Sequence, residues 1–293
     1  AQLVAEGDRL AFSTDSYVID PLFFPGGNIG KLAICGTAND VAVSGAIPRY
    51  LSCGFILEEG LPMETLKAVV TSMAETARTA GIAIVTGDTK VVQRGAADKL
   101  FINTAGMGAI PANIHWGAQT LTAGDVLLVS GTLGDHGATI LNLREQLGLD
   151  GELVSDCAVL TPLIQTLRDI PGVKALRDAT RGGVNAVVHE FAAACGCGIE
   201  LSEAALPVKP AVRGVCELLG LDALNFANEG KLVIAVERNA AEQVLAALHS
   251  HPLGKDAALI GEVVERKGVR LAGLYGVKRT LDLPHAEPLP RIC

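Results

Sequence analysis

Aromatic residues are scarce in this chain: they make up 4% of its 293 positions, with one tryptophan, against 49% hydrophobic residues overall. Its core is therefore expected to be built from Ala, Val, Leu and Ile rather than from large rings. There is no run of Lys or Arg, and 24 basic against 32 acidic side chains leave a net charge of −8. That balance excludes the basic patch by which nucleic acid or an anionic membrane surface is held. No uninterrupted apolar run reaches membrane-spanning length, and no signal-peptide pattern is present. The seven cysteines include no Cys-x-x-Cys pair, so a zinc ribbon or thioredoxin-type site is not expected. Cys195 and Cys197 read as small apolar residues at a helix end. Neither GxGxxG nor GxxxxGKS/T occurs, so a nucleotide site here must be of another design. Together these absences suit a globular protein of the reducing cytoplasm, where a cysteine stays free.

What is present is an alternation of short β-rich runs with amphipathic helices. The clearest helix lies over 62–80, with Leu66, Val69, Val70, Met73 and Ala77 on one face and Gly81 as its stop. Further helices are expected near 155–168, 183–195, 210–219 and 240–250, and strands near 173–177, 231–236, 258–264 and 269–275. Residues 9–13 and 82–85 read as strands that end on the polar turns 14–16 and 86–90. The segment 111–124, which holds Trp116, reads as a domain boundary. The strands are too irregularly spaced for tidy βαβ repeats. The expected class is α+β (mixed α/β), with two domains of mixed sheets flanked by helices.

Several residues carry chemistry. Asp15, Asp40, Asp88 and Asp178 sit in Gly/Thr-rich or Asn-containing contexts, three of them after predicted strands. Magnesium is usually bound by a few carboxylates together with substrate phosphates, and these four would supply such ligands. Each alone is also ordinary turn or cap chemistry. The stretch Phe24-Pro25-Gly26-Gly27-Asn28-Ile29-Gly30-Lys31 opens a helix, and its backbone N–H groups with Lys31 would suit a phosphate. Thr180-Arg181-Gly182-Gly183 repeats that arrangement, as does the Gly131–Gly137 run around Asp135 and His136. Glu229 and Lys90 stand in otherwise apolar sequence, where they would be proton-transfer groups or a surface ion pair. The chain ends Leu289-Pro290-Arg291-Ile292-Cys293. Residues 284–293 have no core pattern, and a proline-rich arm at ~3.1 Å per residue would carry the sulfur ~25–30 Å from the last packed residue. Nothing in the fold is expected to bury that thiol. The arm is either a carrier or a frayed end.

In order along the chain, Thr-Asp-Ser (14–16), Asn39-Asp40, Thr-Gly-Asp-Thr-Lys (86–90), Gly-Asp-His-Gly (134–137), Asp-Ala-Thr-Arg-Gly-Gly (178–183) and Asn-Glu-Gly (228–230) resemble an ATP-binding superfamily. Its members include aminoimidazole ribonucleotide synthetase, selenophosphate synthetase, thiamine-monophosphate kinase and the HypE family of hydrogenase maturation proteins. The run Tyr17–Gly27 and the terminal Pro-Arg-Ile-Cys resemble the HypE family in particular. The resemblance implies an N-terminal ATP-binding and dimerisation domain over 1–118, a C-terminal domain over 119–283, a flexible tail over 284–293, and a homodimer. It implies ATP and Mg2+ as cofactors, with Asp15, Asp40, Asp88 and Asp178 as metal or nucleotide residues. Gly26, Gly27, Asn28, Lys31, Asn39, Gly182 and Gly183 would lie around the nucleotide. Cys293 would be the carrier of a carbamoyl group received from the carbamoyltransferase HypF. That group would be dehydrated to a thiocyanate with Glu229 and Lys90 removing protons, and its cyano group passed to iron on a HypC–HypD complex for [NiFe]-hydrogenase. Members of the family usually open on a Gly-Ser-Gly-Gly segment that reaches over the nucleotide, which residues 1–293 do not include: if the chain is a fragment, impaired ATP affinity or turnover is expected, the alternative being that the protein has that segment ahead of Ala1. The rival readings are another ATP-dependent kinase or cycloligase of the superfamily, and a non-catalytic module whose terminal arm docks in a partner.

Overall fold

A computed structural model describes residues 9–149, 151, 153–283 and 291–293. The expected α+β class holds: two mixed sheets, each flanked by helices, make up the protein. The first sheet has the order β1-β6-β4-β5, from β1 (Leu10–Tyr17), β4 (Ile47–Glu58), β5 (Ala83–Val92) and β6 (Leu100–Ala109). A short hairpin of β2 (Phe23–Phe24) and β3 (Gly27–Asn28) lies between β1 and the helix α1 (Ile29–Val43). Helix α2 (Met63–Ala80) joins β4 to its parallel neighbour β5. The second sheet contains β7 (Val126–Val129), β8 (Val173–Asp178), β9 (Gly198–Ser202), β10 (Leu232–Val236), β11 (Ala258–Val264), β12 (Gly268–Ala272) and β13 (Lys278–Thr280). Its order is β13-β12-β9-β11-β7-β10-β8. It is flanked by α3 (Asp135–Glu145), α4 (Thr161–Gln165), α5 (Gly183–Cys195), α6 (Pro210–Leu219) and α7 (Ala241–His249).

Helix α1 is the hub. Every residue of it except Lys31 and Asp40 is buried, as befits a helix apolar nearly all round. It packs on β1 and β6 behind it, on α2 beside it, and on β8 and α4 of the second half. The approach to α2 is close because a Cβ on Gly30 would lie 2.4 Å from the Val69 carbonyl oxygen. Val69, Met73 and Ala77, one helical turn apart, bury against it, and Gly81 ends α2 with φ +68°. One hydrophobic cluster joins both halves: Ile29, Ile34 and Ile102 pack with Ile140, Val212, Phe226 and Ile292.

Two strand ends differ from the sequence reading. β1 continues through Asp15 to Tyr17, and β5 runs through Asp88 and Lys90 to Val92, so neither aspartate sits on a turn. Only Asp178 ends its strand. Residues 155–168 hold just the short α4, after residues without regular secondary structure. The proline-rich residues 284–290 lie outside those described.

Candidate active site

Strand periodicity builds the first wall of a cavity of about 340 Å3 between the halves. Alternation along β1 puts Ser13, Asp15 and Tyr17 on the face that meets α1, while Phe12, Thr14 and Ser16 face out. On α1, Gly36 and Asp40 are four residues apart and so share a face. The Ser13 hydroxyl donates to Asp40 Oδ2 at 2.7 Å, and the Tyr17 hydroxyl lies 3.3 Å from Asp15 Oδ2 and 3.0 Å from Thr37 Oγ1. Gly36 is required here because a Cβ would come within 2.4 Å of the Tyr17 hydroxyl.

The second half supplies the opposite wall. Asp178 leaves β8 into the cavity, followed by Thr180 and Arg181 and then the uncapped N-terminus of α5. Arg177 lies 3.8 Å from both Asp40 and Asp178 and 3.4 Å from Glu190. Gly182 and Gly183 make this sharp entry with φ of +76° and +60°, and a Cβ on Gly183 would strike the Leu224 carbonyl oxygen at 2.4 Å. Their role in the structure is to let the chain turn beside Asp178.

Glu229 forms the floor. Asn228 fixes the turn before it: its Oδ1 accepts from Gly134 N, and its Nδ2 donates to the Ala179 and Phe226 carbonyls. Glu229 N donates to Asp156 Oδ1, and the absence of a Cβ on Gly230 lets the Asp156 backbone lie against the next residue. Asp156 in turn holds Lys231 at 3.1 Å. Glu229 is 2% exposed, and its Oε1 has no hydrogen-bond partner. Burial first, then the nearby Cys157, Asp156 and Asp178, raises its carboxyl well above the ordinary value.

The terminal cysteine lies in this cavity. The expectation that nothing would bury it is corrected. Ile292, 2% exposed, enters the cluster shared by both halves, a burial that stabilises the docked end by about 2 kcal/mol. Val18 N donates to the Cys293 carbonyl, Arg291 Nε to the Val18 carbonyl, and Arg291 Nη1 to Asp98. Burial foremost, then the Glu229 carboxylate, pushes the thiol up to about 12, while Arg181 opposes that shift by its charge and a hydrogen bond.

Asp15, Asp40, Asp178, Glu229 and Cys293 thus line one cavity. The carboxylates crowd one another: burial and then Asp40 raise Asp15 and push Asp178 up to about 7, and Asp178 Oδ1 has no hydrogen-bond partner, with the Arg177 guanidinium near it at 3.8 Å. Such a hollow fits a cation. Among the described residues no group of three or more His, Cys, Asp or Glu is arranged to hold a metal unaided. Magnesium there would be held by these few carboxylates and would complete its shell with water and phosphate oxygens.

Other sequence candidates lie elsewhere. Asp88 and Lys90 pair with each other at 3.1 Å, about 70% exposed, on the edge strand at the far side of the sheet from β1, about 14 Å away at the usual strand spacing. The amides ahead of α1 are already taken: the Asn28 side chain accepts from Gly30 N and Lys31 N, Ile29 N bonds the Leu22 carbonyl, and Lys31 Nζ donates to the Gly26 carbonyl. Gly27 belongs to the β2–β3 hairpin. This loop therefore offers no open phosphate cradle within the chain. Asn39 also acts structurally, bonding the Ala158 carbonyl and Leu160 N. Sequence reasoning did not single out Tyr17, Arg177 or Glu190 as site residues, and it named Arg181 only within the Thr180–Gly183 run. Tyr17 was legible from its two-residue spacing to Asp15, and Arg181 from its position beside Asp178.

The AIR synthase related protein models match over residues 1–110 (N-terminal domain) and 122–273 (C-terminal domain). The chain is 99% identical over 293 residues to carbamoyl dehydratase HypE of Escherichia coli (strain K12), covering all of this chain and 87% of that protein. A hydrogenase maturation protein HypE solved in complex with ATP is 46% identical with a TM-score of 0.96, over 100% of this chain and 90% of that one. A HypE–HypF complex is 48% identical with a TM-score of 0.92, over 94% of this chain and 90% of that one. Among the described residues no helix is long and apolar enough to cross a membrane.

Proposed function

The chain belongs to the HypE family of carbamoyl dehydratases within the AIR synthase related proteins, and from that premise we propose how it works: Cys293 carries a carboxamide that is dehydrated in the cavity to an S-cyanate, using ATP. The carrying observation is that the terminal thiol lies in a carboxylate-lined cavity with Glu229 and Arg181 as neighbours. A kinase for a free small molecule would have no use for a cysteine placed there.

An amide oxygen is a poor leaving group, so loss of water requires its activation. The carboxamide oxygen attacks the γ-phosphorus and ADP departs. The C–O bond then breaks as the nitrogen forms the triple bond, and the oxygen leaves as phosphate. Two N–H protons are released, one of them retained by the phosphate. Glu229 is the base: a carboxylate held out of water with an unpaired Oε1 binds a proton strongly once ionised. Arg181, which lines the cavity with Cys293 and whose charge offsets part of the rise in its thiol pKa, would steady the oxygen as it gains charge. Asp15, Asp40 and Asp178 would hold magnesium, which supplies neutralisation of phosphate charge. Docking of Ile292 plugs the cavity against water that would hydrolyse the activated amide.

The reading extends to assembly. Phe12 (67% exposed) on β1 and Val91 (68% exposed) on β5 are large apolar residues on the outer strands of the first sheet. A homodimer formed through these halves would cover them and would carry Lys90 and Asp88 toward the other copy's cavity, away from which they stand within one chain. HypF is the donor, in keeping with the complex of a relative, and a HypC–HypD complex is the acceptor of the cyano group, all in the cytoplasm.

Intact-protein mass spectrometry tests the central step. Protein loaded by the carbamoyl donor should lose the mass of one water at the C-terminal peptide on addition of ATP and magnesium. A modification that survives Cys293→Ala would overturn the reading.

A further inference from the structure

His136 is fully buried in the first turn of α3 and is not among the residues lining the cavity. Its two ring nitrogens are both engaged: Nδ1 lies 2.7 Å from Ser155 Oγ and Nε2 lies 2.8 Å from the Ile292 carbonyl oxygen. A carbonyl can only accept, so Nε2 carries the hydrogen, and Nδ1 accepts from the Ser155 hydroxyl. Burial keeps the ring neutral by lowering its pKa, which suits this one-donor, one-acceptor arrangement. The Phe24 ring stands edge-on at 5.3 Å and fixes the imidazole plane. Beside it, the Arg144 guanidinium donates to the Arg291 carbonyl. Successive carbonyls at 291 and 292 are thus each gripped by a side chain of the same helix. Arg291 itself has φ +54°, the left-handed region that non-glycine residues seldom adopt, so the docked backbone is held by these contacts against its own preference.

We propose that His136 is a positioning residue for the dehydration: its Nε2–H bond to the Ile292 carbonyl sets how much of the time the C-terminal thiol lies in the cavity opposite Glu229. The inference rests on the reading of Cys293 as carrier. It assigns the histidine of Gly-Asp-His-Gly to the tail rather than to phosphate. Ser155 has a part in the same device, because its hydroxyl selects the tautomer that donates to Ile292. Removing the donor frees the tail, and this has opposite effects on the two halves of the cycle. Dehydration, which needs the thiol inside, slows. Exposure of the thiol to reagents and donors rises.

The experiment uses the full chain and follows alkylation of Cys293 by N-ethylmaleimide, read at the C-terminal peptide, alongside dehydration of protein already loaded with carboxamide. The docked thiol is protonated and shielded, so its alkylation rate reports the undocked fraction. His136→Ala is expected to speed alkylation about five- to tenfold, the change that one buried hydrogen bond commands. Because a tail that is docked most of the time loses little of its docked population by this shift, dehydration should slow by no more than about twofold, with the KM for ATP unchanged. His136→Gln, whose side-chain amide can still donate, should restore most of both. Ser155→Ala should shift both rates in the same directions by less, and it decides the matter if His136→Ala does not fold. Unchanged alkylation in a folded His136→Ala protein, or in Ser155→Ala should that be the only soluble variant, overturns the proposal. So does a slowed dehydration that glutamine fails to rescue. Alkylation requires neither carbamoyl group nor ATP: faster alkylation with no loss of water in any variant would condemn the carrier reading and leave the latch intact.

Discussion

Asp178→Asn should make the ligand-free protein more stable and at the same time disable it. Asp178 is 3% exposed, and burial together with Asp40 pushes its carboxyl from an ordinary 3.8 up to about 7. Because the folded form binds the proton more tightly than the unfolded chain, folding is least penalised at low pH, where both forms are protonated. As pH rises from about 4 through 7 the unfolded chain ionises first, and stability falls. Each pH unit in that window is worth about 1.4 kcal/mol for one such group, so the penalty grows by about 2–3 kcal/mol between pH 5 and pH 7 and is then constant. Asparagine keeps the shape and removes the charge. In the absence of nucleotide and metal, its Tm advantage over the wild type should therefore widen by about 5–10 °C between pH 5 and pH 8. Adding ATP with magnesium should help the wild type more than the variant, since the carboxylate is then paired. Thermal unfolding at the two pH values, with and without ligand, measures all of this. An advantage that is the same at pH 5 and pH 8, or a variant less stable at pH 8, would refute the idea that crowded carboxylates store free energy in this cavity.

Glu229→Gln should leave stability unchanged or slightly raised, because burial disfavours the ionised form of this carboxyl, but should lower the single-turnover dehydration rate about 10²–10⁴-fold. Asp40→Ala is expected to abolish ATP-dependent dehydration while costing about 1 kcal/mol or less in denaturant unfolding, since the Arg177 guanidinium it faces is 40% exposed. Mixing Lys90→Ala with Glu229→Gln, each inactive alone, should restore roughly a quarter of wild-type turnover if Lys90 serves the other copy of a randomly re-assorted dimer. No recovery on mixing would place Lys90 outside the reaction or within its own chain's site.

How much of this was legible in the sequence depended on how local each signal was. Helices α5 and α6 fell where the pattern put them, at 183–195 and 210–219, because glycine and proline boundaries and a 3.6-residue period are short-range properties. The turn-like residues 86–90 misled because both faces of an edge strand meet solvent, so Thr, Gly, Asp and Lys are tolerated where a turn would also use them. The reading placed no strand over 47–58, although β4 lies there at the centre of the first sheet; Pro48 and Gly54 interrupt its pattern. Asp15, Asp40 and Asp178 stood out only as a set in Gly/Thr-rich or Asn-containing contexts, since each alone is also turn or cap chemistry, whereas Glu229 stood out as a charge in apolar sequence. The docking of Cys293 did not stand out, since the surface that receives it is assembled from Val18, His136 and Arg144, which only the fold brings together. A proline-rich end with one isoleucine gives no local sign of burial.

The central claim is that ATP activates the carboxamide on Cys293 by taking its oxygen. Loading the protein with a carboxamide labelled with ¹⁸O at the carbonyl, then adding ATP and magnesium for a single turnover, tests it directly by mass analysis of the released phosphate. One ¹⁸O atom per phosphate is the predicted result, with the cyanated Cys293 peptide appearing in equal amount. Label recovered in water, with unlabelled phosphate, would contradict it.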